Sequence, residues 1–169
     1  MQRKSFSDMN CSIARSLEEV GEWWSLLVVR EMTQGAYRFD EIQKELGIAR
    51  NILTARLQRL IELEIVETFP IDNERLNAVG YRLTKKGEDL YPVIVALMQW
   101  GDRWLARDGT PPTALVDNET GAPIETITVH SRNGRPLSFK EVRFAPGPGA
   151  TANTHKVIEG RNKKVLGAA

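Results

Sequence analysis

Up to residue 64 the apolar positions recur at steps of three and four, and from residue 65 to 83 the pattern turns extended. Ile13, Leu17 and Val20 mark a first amphipathic helix, with Asn10 or Ser12 as its cap and Gly21 as its end. The next run is apolar almost all round through Trp23, Trp24, Leu26, Leu27, Val28 and Val29, which predicts a helix at the buried centre of its domain, closed by Gly35. Phe39, Ile42 and Leu46 predict a short amphipathic helix that stops at Gly47, a residue that reaches the left-handed conformation without steric cost. The period restarts with Leu53, Leu57, Leu60 and Glu64 on one side and Ile61 at the margin. Two helices a few residues apart, both leaning on one core, make a helix-turn-helix.

Residues 65–71 and 79–83 are rich in Val, Thr, Phe, Tyr and Leu and read as strands, with a polar tip of Asp72, Asn73, Glu74, Arg75 and Asn77 between them. A hairpin directly after such a helix pair is a wing. Thr84 then caps a long helix carrying Leu90, Ile94, Leu97, Gly101 and Trp104, and Pro92 should kink it or split off its first turn. From Gly109 onward the character changes. Pro111-Pro112 reads as a linker, residues 124–130 and 137–144 as strands, and Asn133-Gly134 as a tight turn between them. From Pro146 the low apolar content and the basic cluster Arg161, Lys163 and Lys164 predict a flexible tail. The expected organisation is a winged domain over 1–109, a small β extension over 110–145 and a tail over 146–169, a mainly α member of the α+β class.

The second helix of the pair carries the candidate chemistry. At about 100° per residue, Asn51, Ala55, Gln58 and Glu62 point away from the leucine stripe, with Thr54 and Arg59 on the flanks. Short amide and hydroxyl side chains suit base edges and flanking arginines suit phosphates, the division of labour of a major-groove reader. An ordinary solvated helix face has the same composition. Asn51, Thr54, Ala55 and Gln58 are therefore assigned to base edges, and Arg56, Arg59 and the wing-tip Arg75 to phosphates or the minor groove. Arg50 suits either role, and Arg38 completes the candidate DNA contacts.

Composition constrains this reading without driving it. The chain has 169 residues and a formal net charge of +1, so any DNA site must be a local patch. That neutrality, with Asp72 and Glu74 in the wing tip, keeps open a winged-helix protein-interaction module without DNA binding. The single cysteine excludes an internal disulfide and fits a reducing compartment. No segment approaches the ~18 apolar residues of a membrane span, so a soluble cytoplasmic protein is expected.

Cys11 before the first helix, Gly21 to Trp23, Arg38-Phe39, Leu53-Thr54, Arg56-Leu57, Ile65-Val66, Tyr81, Leu83-Thr84, Gly87, Pro92-Val93 and Trp100 together resemble the HxlR family of bacterial winged helix-turn-helix regulators, in the MarR-like superfamily. The resemblance covers roughly residues 9 to 105. It implies transcription regulation by a homodimer on a pseudo-palindromic double-stranded DNA operator, often in response to electrophiles, oxidants or a small-molecule effector. It also implies dimerisation through the first and last helices of the domain. Ile13 and Leu17, with Leu97, Trp100, Gly101 and Trp104, supply the apolar surface for that contact. Three departures stand out. Ala49 replaces a serine-like cap, Glu64 replaces a glycine between helix and wing, and the wing lacks the usual proline before its second strand.

The extension resembles the small zinc-ribbon-like addition of some family members, but Thr120-Gly121 and His130 to Gly134 occupy the knuckle positions without a cysteine. A structural zinc site takes four Cys or His ligands, so no metal or other cofactor is expected. Cys11, at a helix N-terminus that favours thiolate, is a candidate redox sensor, with a buried filler as the alternative. Trp23, Trp24, Trp100 and Trp104 suit an aromatic ligand pocket or, more simply, core and dimer interface. His130 and His155 with Cys11 lie in no nucleophile elbow, GxGxxG, Walker or HExxH spacing, so enzymatic chemistry is not expected.

Overall fold

The computed structural model describes residues 5–71 and 78–166. Its helices are α1 (Ser12–Val20), α2 (Trp23–Thr33), α3 (Phe39–Leu46), α4 (Arg50–Glu62), α5 (Lys85–Glu88), α6 (Tyr91–Leu105) and α7 (Ala152–Leu166). Strands β1 (Val66–Pro70) and β2 (Val79–Leu83) pair antiparallel with Thr68 opposite Tyr81. None of the described helices is long and apolar enough to cross a membrane.

The periodicity in the sequence translates directly into burial. Val28 and Val29 of α2, Ile42 of α3, Leu53 and Leu60 of α4, and Ile65 and Val66 at the wing's root are fully buried in one cluster. α2 runs through the middle, touching α1, α3, α4, β2 and α6. It is not apolar-buried all round, however: Trp23 is 75% exposed at its first turn. The wing is tied back to the helices, since the Tyr81 amide donates to the Tyr37 carbonyl at 2.8 Å and the Tyr37 and Phe69 rings meet at 6.1 Å.

Several helix ends follow local chemistry. Gly47 ends α3 at φ 61°, and Gly35 follows α2 at φ 96°. Thr84 caps α5 with its hydroxyl, accepting from the Gly87 amide at 3.2 Å. Pro92 stands in the first turn of α6 and has no N–H to continue a helix, so the long helix is divided into α5 and α6. At α1 the cap position is Cys11 rather than Asn10 or Ser12, and no side chain caps the helix. Ser12 is already inside the first turn.

The extension departs from expectation. In place of strands over 124–130 and 137–144 there are two isolated bridges, Val116 to Pro123 and His130 to Pro136, and a 3-10 turn over Phe139–Glu141. Proline sits in both bridges, and without an N–H it blocks propagation of the ladder. The segment expected as a flexible tail carries α7. The Thr151 hydroxyl accepts from the Thr154 amide at 3.2 Å, and Asn10 and Asn162 tie the helix to the rest of the chain through Thr154 and the Phe144 carbonyl. Low apolar content removes a driving force for burial but does not prevent a capped, anchored helix.

Candidate nucleic-acid interface

α4 presents two faces. Leu53, Leu57 and Leu60 are buried against α2, whereas Asn51, Thr54, Ala55 and Gln58 are exposed in one row on the other side. With Arg50, that row lines a shallow open depression. A second depression lies between the helix and the wing, bounded by Phe39, Thr54, Gln58, Ile61, Glu62 and Tyr81. The helix-turn-helix therefore brings all four proposed base-reading residues to one surface beside the wing.

The start of the helix is open. Ala49 occupies the cap position with no capping side chain, and the Thr54 hydroxyl turns back to the Arg50 carbonyl at 2.9 Å. Its end is strained: Glu64 sits at φ 56°, in the left-handed region that costs a non-glycine residue about 1–2 kcal/mol. That geometry is held by the Thr84 hydroxyl, which donates to the Glu64 carbonyl at 2.5 Å, and by the Thr84 amide, which donates to Ile65 at 3.0 Å.

The arginines are arranged less simply than the sequence suggested. Arg50 pairs with Asp40 at 3.5 Å and lies over the Phe39 ring, 4.6 Å from its centroid. Arg59 pairs with Glu62 at 3.3 Å. Arg38 lies over Tyr37 at 5.0 Å and pairs with Glu41 at 3.7 Å, while the Glu41 carboxylate accepts the Arg38 amide at 3.1 Å. Arg56 is half-buried, with its Nε inside and without a partner among the described residues. Arg75, with Asp72 and Glu74, lies outside the described residues. Sequence reasoning missed Phe39 as the platform for Arg50. It also missed Arg82 on the wing, which pairs with Glu67 at 2.7 Å across the two strands. The alternation of β2 could have flagged Arg82.

The carboxylate partners interrupt a continuous basic strip, but all of these ion pairs are at least partly exposed. Exposed pairs contribute about 0–1 kcal/mol, so an arginine exchanges such a partner for a phosphate at little cost. Away from this face, Cys11 is exposed. Ile13, Leu17, Leu97, Trp100 and Trp104 are also exposed, so the tryptophans of α6 do not enclose a pocket within the protomer. Gly101 faces open space. Among the described residues no three His, Cys, Asp or Glu side chains gather as metal ligands would.

A helix pair with an outward polar row, followed by a two-stranded wing packed on the same core, defines a winged helix-turn-helix transcription regulator. The HxlR-like helix-turn-helix model matches residues 19–109, and this chain belongs to that family. It is 40% identical over 143 residues to the HTH-type transcriptional regulator MT3179 of Mycobacterium tuberculosis, spanning 83% of this chain and 89% of the relative. Among solved structures it resembles PA1607, described as a transcription factor, with TM-score 0.79 and 35% identity over 85% of this chain and all of that one. It is also similar to the oxidized form of the redox regulator HypR, with TM-score 0.52 and 25% identity over 57% of this chain and 100% of HypR.

Proposed function

We propose that this regulator acts as a homodimer on a pseudo-palindromic operator, reading bases with Asn51, Thr54, Ala55 and Gln58 and phosphates with its arginines. The observation that carries the reading is the exposed polar row standing directly over the three buried leucines of α4. Side chains on a helix so rigidly backed keep a fixed register in the major groove. The exposed apolar faces of α1 and α6 supply the two-fold contact, which would set the recognition helices ~34 Å apart. Arg75 serves the backbone or minor groove from the wing tip, and Arg38 joins it at the edge of the site.

Genome-wide footprinting of the bound protein identifies the operator. Salt titrations on that operator and on a random duplex then divide the roles. Gln58→Ala and Asn51→Ala should cost about 1–3 kcal/mol on the operator and little on random DNA. Arg59→Ala and Arg75→Ala should weaken both and reduce the salt slope by about one. Equal losses on both duplexes for the polar-row variants would overturn the assignment. The second reading, a protein-interaction module, draws on the carboxylates beside Arg50 and Arg59. It predicts no duplex binding even at low salt.

A further inference from the structure

The end of α4 is held by groups from outside the helix. Its own backbone closes in a left-handed turn, where the Glu64 amide donates to the Ile61 carbonyl and the Ile65 amide to the Leu60 carbonyl, both at 2.9 Å. The carbonyls of Leu63, Glu64 and Ile65 accept instead from the start of α5. The Lys86 ammonium donates to Leu63 at 3.0 Å, the Thr84 hydroxyl to Glu64 at 2.5 Å and the Thr84 amide to Ile65 at 3.0 Å. Lys86 does more than close this turn. Its ammonium also meets the Glu19 carboxylate of α1 at 3.0 Å, so one charged group spans two helices far apart in the chain. That positive charge stands at the negative end of the α4 dipole, where a cation is favoured. α1 has little else to fix its direction on this side, since Val20 is its buried residue while Ile13 and Leu17 are exposed.

We propose that Lys86 is a positioning residue for DNA recognition: by tying the end of α4 to Glu19 of α1, it sets the tilt of α4 and with it operator selectivity. This inference rests on the reading of α4 as the base-reading helix. Leu53, Leu57 and Leu60 fix where the middle of α4 lies, but a helix seated on a leucine stripe can still rock about it, and its ends set the angle. At about 1.5 Å rise per residue, Asn51 stands roughly 9 Å along the axis from Leu57, so a tilt of about 5° moves it by about 0.8 Å. A preorganised contact tolerates about 0.5 Å. Base contacts at Asn51 and Gln58 are therefore sensitive to the tilt, whereas long arginine side chains follow a phosphate through it. The Glu19–Lys86 pair is partly exposed and contributes little to stability, so its consequence falls on geometry rather than on folding.

The test uses the full chain and reads the ratio of affinities for the footprinted operator and a random duplex. Lys86→Met, which keeps the aliphatic stem, should lower that ratio about fivefold, and Lys86→Arg, which keeps the charge, should restore it to within about twofold of wild type. Glu19→Ala should lower it about threefold. Removing a carboxylate raises general attraction to DNA, so a fall in the ratio for Glu19→Ala cannot come from net charge. The double variant should be no worse than Lys86→Met alone, because the pair is already broken there. An unchanged ratio in Lys86→Met or Glu19→Ala overturns the proposal, and so does an additive double variant. Equal losses on both duplexes overturn it as well, in favour of a plain phosphate contact or a damaged fold. Gln58→Ala separates the two readings. A ratio that moves with Gln58→Ala but not with Lys86→Met removes the role of Lys86 alone, whereas a ratio that Gln58→Ala leaves unmoved removes the reading of α4 and this proposal with it.

Discussion

The guanidinium of Arg50, the first residue of the recognition helix, lies 3.5 Å from the carboxylate of Asp40 in the preceding helix. The Phe39 ring beneath it fixes the direction of the pair. On the reading proposed above, Asp40 competes with phosphate for the arginine nearest the start of that helix. Asp40→Asn should raise affinity for random duplex several-fold and steepen its salt slope by about one, since one more positive charge becomes available to displace counterions. Fluorescence anisotropy at several salt concentrations measures this. An unchanged slope would place Arg50 away from the DNA backbone.

The recognition helix lacks a side-chain cap at its start and carries backbone strain just past its end. Ala49→Ser supplies the missing cap and should stabilise the fold by about 1 kcal/mol. Glu64→Gly relieves the positive φ at a smaller entropic cost and should add about 0.5–1 kcal/mol. Each 1 kcal/mol corresponds to roughly 2–4 °C in the thermal midpoint for a chain of this size. Glu64→Ala, which keeps a Cβ, should give no gain.

Gly87 is needed for close approach rather than for an unusual φ. A Cβ there would run into the Ile65 carbonyl, which also accepts the Thr84 amide at 3.0 Å. Gly87→Ala should therefore cost about 1–3 kcal/mol, as overpacking does. Urea unfolding followed by tryptophan fluorescence reads the loss, and wild-type stability would show that the backbone moves aside freely.

Within the protomer Cys11 is exposed at the cap position of α1. Diamide or a quinone should weaken operator binding by the wild-type chain and leave Cys11→Ser unaffected. With one cysteine per chain, the product is an intersubunit disulfide or a mixed disulfide with a small thiol. Mass spectrometry confirms the modification; full operator affinity in the oxidised protein removes the sensor role.

In the 3-10 turn over Phe139–Glu141, the Ser138 backbone amide first, then Arg135, then the Ser138 hydroxyl, hold the Glu141 carboxyl below its usual range. A depressed folded value stabilises the turn at pH above the ordinary glutamate value of about 4.3, and that contribution is lost as pH falls through the lower folded value. Carbon-13 NMR of the Glu141 carboxylate should titrate below the ordinary value. Glu141→Gln should abolish the acid-side loosening of the turn.

The helices were legible because burial within each is periodic, and the wing because its two runs rich in β-branched and aromatic residues flank a polar stretch. The leucines of α4 had to turn inward, and Gly47 had to end α3, whatever the rest of the chain did. The departure at Glu64 was readable as well, and the backbone there is left-handed as a glycine position would be. Pairings were not legible, because Asp40 with Arg50 and Arg82 with Glu67 depend on how separate elements cross, and sequence spacing carries no record of that. The extension over 110–145 was misread for the same kind of reason. Its strand-like composition scores a preference for a pleated, half-buried surface, and the tertiary structure provides no second surface within one chain. With proline at both bridges and no sheet to join, residues 124–144 keep their turns and leave their apolar side chains uncovered. The sequence by itself therefore determined each locally periodic element and its inward face. Only the tertiary structure decided which charges meet and which apolar surface is left over, because both are properties of elements distant in the chain brought together.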